Sequence, residues 1–197
     1  MTKPNAPSAL RNQNAILEVI SDEFQDCKAV LEIGSGTGQH AIFFASQMSW
    51  LNWQTSDLVA NHHGINAWLE DADLDNVKAP LALDVEEPLQ TDDKFDAVFS
   101  ANTAHIMSIV AVESMFSTAG RCLIGGGRFC LYGPFSQNGK FTSDSNREFD
   151  ANLRSQDPAM GIRDLEILDG FAEASGLHRT GLYAMPANNM ISIWSKN

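Results

Sequence analysis

The sequence predicts an α/β protein built around one doubly wound sheet of seven strands. Short apolar runs alternate along the chain with segments of helical period, which is typical of a parallel sheet covered by helices. A glycine cluster follows the first run and leads into a helix. The last two runs are separated by only four residues, too few for a parallel crossover. We therefore expect five parallel strands followed by a C-terminal antiparallel hairpin, with one reversed strand near an edge.

The predicted strands are the apolar runs that turn residues bound. Ala29–Ile33 is almost continuously apolar, as expected of a strand covered on both faces. The other candidates for parallel strands are Leu51–Ser56, Val77–Leu83, Phe95–Ser100 and Arg128–Tyr132. The terminal hairpin pairs Leu177–Met185 with Met190–Trp194.

The predicted helices rest on apolar residues spaced three and four apart. After the glycine cluster, one helical face carries Ala41, Phe44, Ala45 and Met48. The other helices are predicted at Asn14–Phe24, 61–74, 104–119 and 163–175, the last closed by Gly176.

Two segments fall outside this alternation. Residues 1–27 are expected to form an N-terminal lid segment and helix within a single domain that spans residues 1–197, with a disordered N-terminus as the competing interpretation. Gly133–Asn146, rich in Gly, Ser and Asn, predicts a mobile loop after the fifth strand.

The composition is that of one acidic globular domain. Of the 197 residues, 44% are apolar and 19% are charged, which excludes disordered and fibrous classes. Lys and Arg number 13 against 25 Asp and Glu, so the net charge is −12. This charge argues against general binding of nucleic acid or anionic lipid. No stretch has the length and apolarity of a bilayer span, and the N-terminus lacks a signal-peptide core.

The cysteines and histidines give no sign of a metal site. Cys27, Cys122 and Cys130 form no C-x-x-C pair and are odd in number, which indicates neither a disulfide framework nor a zinc site. His62 and His63 are adjacent, which is poor spacing for a shared metal on a helix. We expect no metal and a reducing, cytoplasmic compartment; the sequence does not indicate an oligomeric state.

The most specific motif is the glycine loop in Leu31–Gln39, where a strand passes through three alternate glycines into a helix. Such glycines let the backbone approach a ligand, and the helix start favours an anion. The dinucleotide fingerprint G-x-G-x-x-G would need Gly or Ala at position 39, where this chain has Gln39. Its third glycine, Gly38, comes one residue early, and Glu32 lies two residues before Gly34.

This acidic-x-G-x-G-x-G pattern resembles motif I of class I S-adenosylmethionine-dependent methyltransferases. The resemblance implies a three-layer, Rossmann-like fold and S-adenosylmethionine as the cofactor. Glu32 would face the positive amino-acid and sulfonium end of the cofactor, beside Gly34, Gly36 and Gly38. The alternative for Glu32 is a solvated acid at a strand end, although an acid within a buried strand needs a compensating partner.

Two further acids follow strand ends in the order that an adenosine cofactor requires. Asp57 lies 23 positions after Gly34 and can accept hydrogen bonds from both ribose hydroxyls; its alternative role is the N-cap of the next helix. Asp84 follows the third strand, where the methyltransferase pattern places an acid against the adenine amino group.

Other segments resemble one uncharacterised family of small methyltransferase-like proteins and span nearly the whole chain. They are Arg11-Asn12 with Ile16-Leu17, Gly36–His40, Ala101-Asn102 with His105-Ile106, Leu131–Phe135, Ser145-Asn146 with Phe149-Asp150, Gly161–Asp164 and Met185–Asn189. This resemblance implies cofactor binding but no settled substrate. The expected cofactor site also includes Ser35, His40, Leu58, Val85 and Asn102, together with Arg11 and Asn12, which would precede the first helix and fold over the cofactor as a lid.

The substrate residues are expected beyond the carboxyl ends of the strands, where open α/β sheets bind ligands. Asn188 and Asn189 in the hairpin loop would orient a substrate or simply form the turn. Arg163 would pair with an anionic substrate, or else with Asp164 or Glu166 at a helix start. Tyr132 is a reserve hydrogen-bond partner whose alternative role is packing.

The catalytic candidates, Asn102 and His105, follow the fourth strand. Methyl transfer is an in-line displacement at carbon, so alignment supplies much of the rate, and a base is needed only when the nucleophile keeps its proton. An imidazole titrates near neutrality, which makes His105 the candidate base. The alternative is a core-facing histidine, because His105, Ile109, Val112 and Phe116 share a predicted helical face.

Together these features predict S-adenosylmethionine-dependent methyl transfer to a small, polar or anionic acceptor. A noncatalytic S-adenosylmethionine-binding module or partner subunit is the alternative. An NAD-dependent oxidoreductase is disfavoured by Gln39.

Overall fold

The structure, a computed structural model, describes residues 3–87 and 91–197. Within them the strands are β1 (Ala29–Ile33), β2 (Asn52–Asp57), β3 (Val77–Ala82), β4 (Phe95–Ala101), β5 (Leu123–Gly133), β6 (Phe135–Gln137), β7 (Lys140–Phe141), β8 (Arg163–Asp164), β9 (Leu177–Met185) and β10 (Asn189–Lys196). The α-helices are α1 (Pro7–Glu23), α2 (Gln39–Gln47), α3 (His62–Ala72), α4 (Ile109–Cys122), α5 (Asp144–Gln156) and α6 (Leu165–Ala174).

The main sheet has seven strands in the order β3-β2-β1-β4-β5-β10-β9. Strands β1 to β5 are parallel, while β10 runs antiparallel to both of its neighbours, β5 and β9. The predicted fold class is therefore confirmed, including the reversed strand next to the edge. A second, three-stranded sheet of order β7-β6-β8 was not predicted.

Apolar layers cover both faces of the main sheet and make the molecule three layers deep. Phe116 of α4 packs with Phe129 and Trp194 on one face, together with residues of α6. Phe44 of α2 packs with Trp53 and Phe99 on the other face, where α1 also lies. Because both faces are covered, the carboxyl ends of the parallel strands are left as the place for a site.

Side-chain caps fix where three helices begin. Ser108 accepts a hydrogen bond from the Ala111 N–H at the start of α4, and Ser143 accepts one from the Asn146 N–H at the start of α5. Asp164 caps α6 in the same way. A cap of this kind contributes about 1 kcal/mol, which makes these starts well defined.

The predicted helix at 104–119 begins too early, because the cap at Ser108 starts α4 at Ile109. Residues 104–107 form a turn instead, in which the Ile106 and Met107 N–H groups donate to the Thr103 carbonyl. The helical face proposed for His105 is therefore wrong: His105 lies in the turn directly after β4.

The mobile loop predicted at Gly133–Asn146 is also wrong. That segment contains β6, β7 and the start of α5, and β6 pairs with β8. Helix α5 escaped prediction because Asn146 and Asp150 are buried polar residues and Leu153 is its only buried apolar residue, so the helical period of apolar residues is missing.

The first helix starts at Pro7, seven residues before its predicted start. Arg11 and Asn12 thus lie within α1 rather than ahead of it. A disordered N-terminus does not describe residues 3–6, which contact α2 and α3; residues 1 and 2 of the predicted lid segment lie outside the described residues. Across 3–87 and 91–197, no helix has the length and apolarity needed to cross a membrane.

Candidate functional site

The glycine loop after β1 keeps a left-handed backbone at all three glycines, with φ of 75° at Gly34, 58° at Gly36 and 89° at Gly38. A Cβ on Gly34 would lie 2.7 Å from the Thr103 side chain, and one on Gly38 would lie 3.1 Å from the Ile65 backbone. A Cβ on Gly36 would meet nothing within 4 Å. The outer glycines thus permit close packing, while Gly36 borders open space.

Asp57, at the end of β2, holds this loop in place. Its carboxylate accepts hydrogen bonds from the Gly36 N–H at 2.6 Å, the Leu58 N–H at 2.7 Å and the Asn61 amide at 2.8 Å. The predicted alternative, an N-cap of the next helix, is wrong, since Asn61 occupies that position of α3. A carboxylate has about four acceptor positions, so one remains for a ligand.

A cavity of about 510 Å³ opens beside Gly36, and we call it the glycine-loop cavity. Seven of the predicted cofactor residues line it: Gly34, Gly36, Asp57, Leu58, Asp84, Val85 and Asn102. Its remaining lining residues are Ile33, Asn61, Leu83, Glu86, Ala101, Thr103, Ile106, Met107, Ser108 and Ala111. The described lining contains three acidic residues and an apolar wall. It contains no Lys or Arg.

Glu32 lies behind the loop and outside the lining of this cavity. It is only 2% exposed, so it is not a solvated acid. Ser35 Oγ and Trp53 Nε1 donate to its Oε2 at 2.8 and 3.0 Å, and these two donors compensate its burial. Burial raises the pKa of Glu32 to about 7. Ser35 also accepts from the Ser56 N–H, which links the loop to β2.

Three other predicted site residues, His40, Asn12 and Tyr132, lie on α2, α1 and β5. His40 Nε2 lies 2.8 Å from Asn12 Oδ1, a contact that joins α2 to α1. Burial lowers the pKa of His40 to about 4 and raises the pKa of Tyr132. His40, Asn12 and Tyr132 line neither of the two cavities described here.

A second cavity, of about 590 Å³, lies under the turn of the β9–β10 hairpin, and we call it the hairpin cavity. Its lining comes from α1, the ends of β4 and β5, α5 and the hairpin turn. The residues are Ser8, Arg11, Asn102, His105, Pro134, Ser145, Asn146, Phe149, Ala187, Asn188 and Asn189. Asn102 lines both cavities and has a left-handed backbone with φ of 61°. The two cavities therefore share Asn102 as a wall residue.

His105 is 8% exposed in the wall of the hairpin cavity, where its ring meets the edge of Phe149 at 5.4 Å between centroids. Burial, with a smaller contribution from the positive charge of Arg163, lowers the pKa of His105 to about 4. The imidazole is therefore neutral near pH 7. Neither ring nitrogen has a hydrogen-bond partner among residues 3–87 and 91–197.

Arg163 does not line either cavity, contrary to its predicted role as a direct substrate ligand. Its Nε donates to the Ala104 carbonyl at 2.9 Å, and its Nη2 donates to the Ala159 carbonyl at 2.7 Å and to the Met107 carbonyl. It therefore braces the turn that carries His105. The alternative partners, Asp164 and Glu166, do not bind it either.

The two asparagines of the hairpin turn have separate structural roles. The Asn189 amide donates to the Pro186 and Ala187 carbonyls and closes the turn. The Asn188 amide donates to Ser145 Oγ, and the Asn188 carbonyl accepts from the Asn146 amide, so the turn is fastened to α5. Both residues line the hairpin cavity, and their role toward a substrate stays a prediction.

Sequence reasoning missed much of the hairpin-cavity wall. Ser145, Asn146 and Phe149 lie on the unpredicted helix α5, although their segments belong to the family resemblance, which was the available signal. Pro134 lies in another segment of that resemblance, Leu131–Phe135, whereas Ser8 had no such signal. Ile106 and Met107, in the turn before α4, also line the glycine-loop cavity.

A protein-family model described as "Protein of unknown function (DUF938)" matches residues 3–196. This chain belongs to the DUF938 family. The match covers nearly all of the DUF938 chain, which agrees with the segments that carried the family resemblance.

Solved structures with the same fold include proteins described as O-methyltransferases. The structure of an O-methyltransferase family protein from Burkholderia thailandensis matches with a TM-score of 0.83 at 14% identity, over 96% of the DUF938 chain and 57% of that chain. Mitomycin 7-O-methyltransferase MmcR matches with a TM-score of 0.83 at 14% identity, over 96% of the DUF938 chain and 54% of the MmcR chain. PigF with SAH matches with a TM-score of 0.78 at 14% identity, over 96% of the DUF938 chain and 64% of the PigF chain. The DUF938 chain thus has the class I methyltransferase fold and spans a little over half the length of the first two.

Proposed function

We propose that the DUF938 chain binds S-adenosylmethionine in the glycine-loop cavity and transfers its methyl group to a small molecule in the hairpin cavity. The observation that carries this proposal is that Asn102 lines both cavities. A methyl donor on one side and an acceptor on the other could align there, and alignment supplies much of the rate of an in-line displacement.

The glycine-loop cavity fits this cofactor. Gly36 leaves open space where any Cβ would project into the cavity, and Asp57 retains an acceptor position for a ribose hydroxyl. Leu58 and Val85 offer apolar contact for a planar base, and Asp84 lines the same cavity. The acids and the lack of basic side chains in the described lining suit a ligand that carries positive charge.

Bound S-adenosylmethionine would supply an electrophilic methyl group on a sulfonium. The chain's own contribution is to hold and orient the acceptor. Asn102 lines both cavities, and His105, three residues further on, supplies a neutral imidazole to the wall of the hairpin cavity. A neutral imidazole can accept a hydrogen bond or a proton from the acceptor, so His105 is the candidate base.

The direct test is calorimetric titration of the full chain with S-adenosylmethionine, S-adenosylhomocysteine and NAD in parallel. We expect both sulfur compounds to bind and NAD to bind at least about tenfold more weakly. Binding of NAD with no binding of either sulfur compound would refute the proposal. Cofactor binding with no transfer to any acceptor would favour a noncatalytic module instead.

The placement of the cofactor is tested by Gly36→Asp, with Gly126→Asp as the matched control. Both glycines have positive φ, 58° and 77°, and both leave open space for a Cβ, but Gly126 lies in β5 away from either cavity. The backbone cost is therefore similar in the two variants. We expect only Gly36→Asp to lose cofactor affinity, by about tenfold or more, since its side chain enters the cavity. Equal affinities in the two variants would refute this placement.

A further inference from the structure

The wall of the hairpin cavity carries a positive charge, although the protein as a whole is acidic. The chain has a net charge of −12, yet Arg11 is the one side chain in the described lining of this cavity that is charged at neutral pH. Arg11 is exposed at the first turns of α1 and forms no hydrogen bond or salt bridge with the residues that the structure describes. Its guanidinium is thus available to a ligand.

A second positive charge lies behind the wall. Arg163 is buried, with 7% of the residue exposed, and its guanidinium donates only to backbone carbonyls. No described carboxylate forms a salt bridge with it: the nearby Asp150 is bonded to Arg154 and to the Ile162 N–H. The positive charge of Arg163 lies next to the cavity wall, since its guanidinium donates to the Ala104 and Met107 carbonyls of the turn that carries His105. A buried cation without an ion pair favours an anion in the adjoining space.

The hydrogen-bond donors in the wall are largely committed to the protein. Both amide hydrogens of Asn146 and both of Asn189 are used within the fold, and Asn188 uses one. Arg11 and Asn102 keep their donors, as judged within the described residues. The guanidinium is a planar fork that matches a carboxylate or a phosphate, so it is suited to hold an anionic group.

Backbone strain is concentrated in the same wall. Five described residues other than glycine have positive φ, and three of them, Asn102, Ala187 and Asn188, line the hairpin cavity. Non-glycine residues with left-handed backbones cost energy and persist only where the surrounding structure enforces them. Such residues are concentrated at ligand-binding and active sites. His105, 8% exposed and without a described partner, also faces this space.

We propose that the hairpin cavity binds a small acceptor bearing a carboxylate or a phosphate, with the anionic group at Arg11 and the methyl-accepting atom near Asn102 and His105. This inference rests on the proposed function and specifies its substrate class. Arg11 is the binding residue, and Arg163 acts through its field and through the turn that it braces.

The test uses three small aromatic probes, because Phe149 offers a partly exposed ring to them. Benzoate and phenyl phosphate carry the two anionic groups, and benzamide is the neutral match for benzoate. The His105 ring signals are followed by NMR while each probe is added to the full chain saturated with S-adenosylhomocysteine. We expect at least one anion to shift these signals saturably and to bind about tenfold more tightly than benzamide. The tighter anion identifies the acceptor's charged group.

The role of Arg11 is tested by Arg11→Gln, with Arg121→Gln as the control. Both arginines are exposed, but Arg121 lies in the last turn of α4, at the opposite end of the sheet. We expect the preference for the anion over benzamide to vanish in Arg11→Gln and to persist in Arg121→Gln. A preference that survives Arg11→Gln, or probes that leave the His105 signals unmoved, would overturn the proposal.

The same experiment separates this inference from the proposed function. If S-adenosylhomocysteine does not bind, the proposed function itself fails. If it binds while the neutral and anionic probes bind equally, only the anionic substrate class is refuted.

Discussion

The surroundings of His105 decide what its imidazole can do. The ring is buried beside Phe149, and Arg163 adds a positive charge behind it, so its pKa falls to about 4. At neutral pH the imidazole is therefore uncharged and can accept a hydrogen bond or a proton, but it is a weak base. An anion at Arg11 would raise this pKa, because a negative charge favours the imidazolium. Binding of the acceptor and basicity of His105 are thereby linked.

We expect the ring protons of His105 in the unliganded chain to titrate with a midpoint near pH 4 rather than near 6.5. The physical reason is the cost of placing an imidazolium in a buried wall next to a guanidinium. NMR titration measures the midpoint, and the spectrum of His105→Gln assigns the signals. A midpoint of 6 or above, measured without ligand, contradicts this description of the wall.

At the residue scale, the sequence predicted what local chemistry determines and missed what distant contacts determine. The three glycines and Asp57 take the places that their spacing predicts, because a strand, a tight turn and a helix are all local. Glu32 was assigned to a ligand, yet it is compensated by Trp53 on another strand. Arg163 was assigned to a substrate, yet it binds carbonyls in a turn that lies about 60 residues away in sequence.

At the element scale, helix α1 is held over the sheet by its N-terminal segment. Gln39, the residue that breaks the dinucleotide fingerprint, is 4% exposed, donates to Asn5 Oδ1 and accepts from the Ala6 N–H. Trp68 Nε1 donates to the Pro4 carbonyl from α3. These contacts place Arg11 at the hairpin cavity, so the position of α1 is part of the site.

Gln39→Ala should release this segment. Loss of a buried amide and its hydrogen bonds costs about 1–3 kcal/mol of the free energy of unfolding, and residues 3–8 should exchange their amide hydrogens faster. The control is Gln47→Ala at the exposed end of the same helix, where the amide binds only Ser46. Hydrogen exchange measured by mass spectrometry distinguishes the two variants. Equal protection of residues 3–8 in both would show that Gln39 does not hold the segment.

The elements that sequence reasoning placed well are those with apolar periods, such as β1 and β4, whose predicted bounds are correct to within a residue. Helix α5 and the start of α1 escaped because their buried faces carry Asn146, Asp150 and Ala9 rather than large apolar residues. Half of the hairpin-cavity wall depends on these two helices, so the cavity was not predictable as a whole.

At the scale of the whole molecule, three buried groups make stability depend on pH. His40 and His105 have folded pKa values of about 4, below 6.5, so between these values the unfolded chain binds more protons. Their contribution to stability is lost as the pH falls through that window. Glu32, raised from 4.5 to about 7, acts in the opposite direction, because the folded state binds its proton.

We expect net destabilisation on acidification from pH 6.5 to 4.5, with a slope of about 1.4 kcal/mol per pH unit, the difference between two histidines and one glutamate. Urea denaturation at several pH values measures it. Glu32→Gln should steepen the slope, since the opposing proton is removed, and His105→Gln should flatten it. Identical slopes in all three proteins would contradict the assignment of these pKa shifts.

The reversed strand also sets the order in which the sheet can be completed during synthesis. Within residues 3–87 and 91–197, strand β9 pairs only with β10, and β10 is made after β9 although it lies between β9 and β5. Until residue 196 has left the ribosome, β5 keeps an open edge and β9 has no neighbour in the main sheet. The hairpin turn with Ala187 and Asn188 then reaches α5 in the same closing step. The wall around Asn188 is therefore assembled last, after the glycine loop has formed.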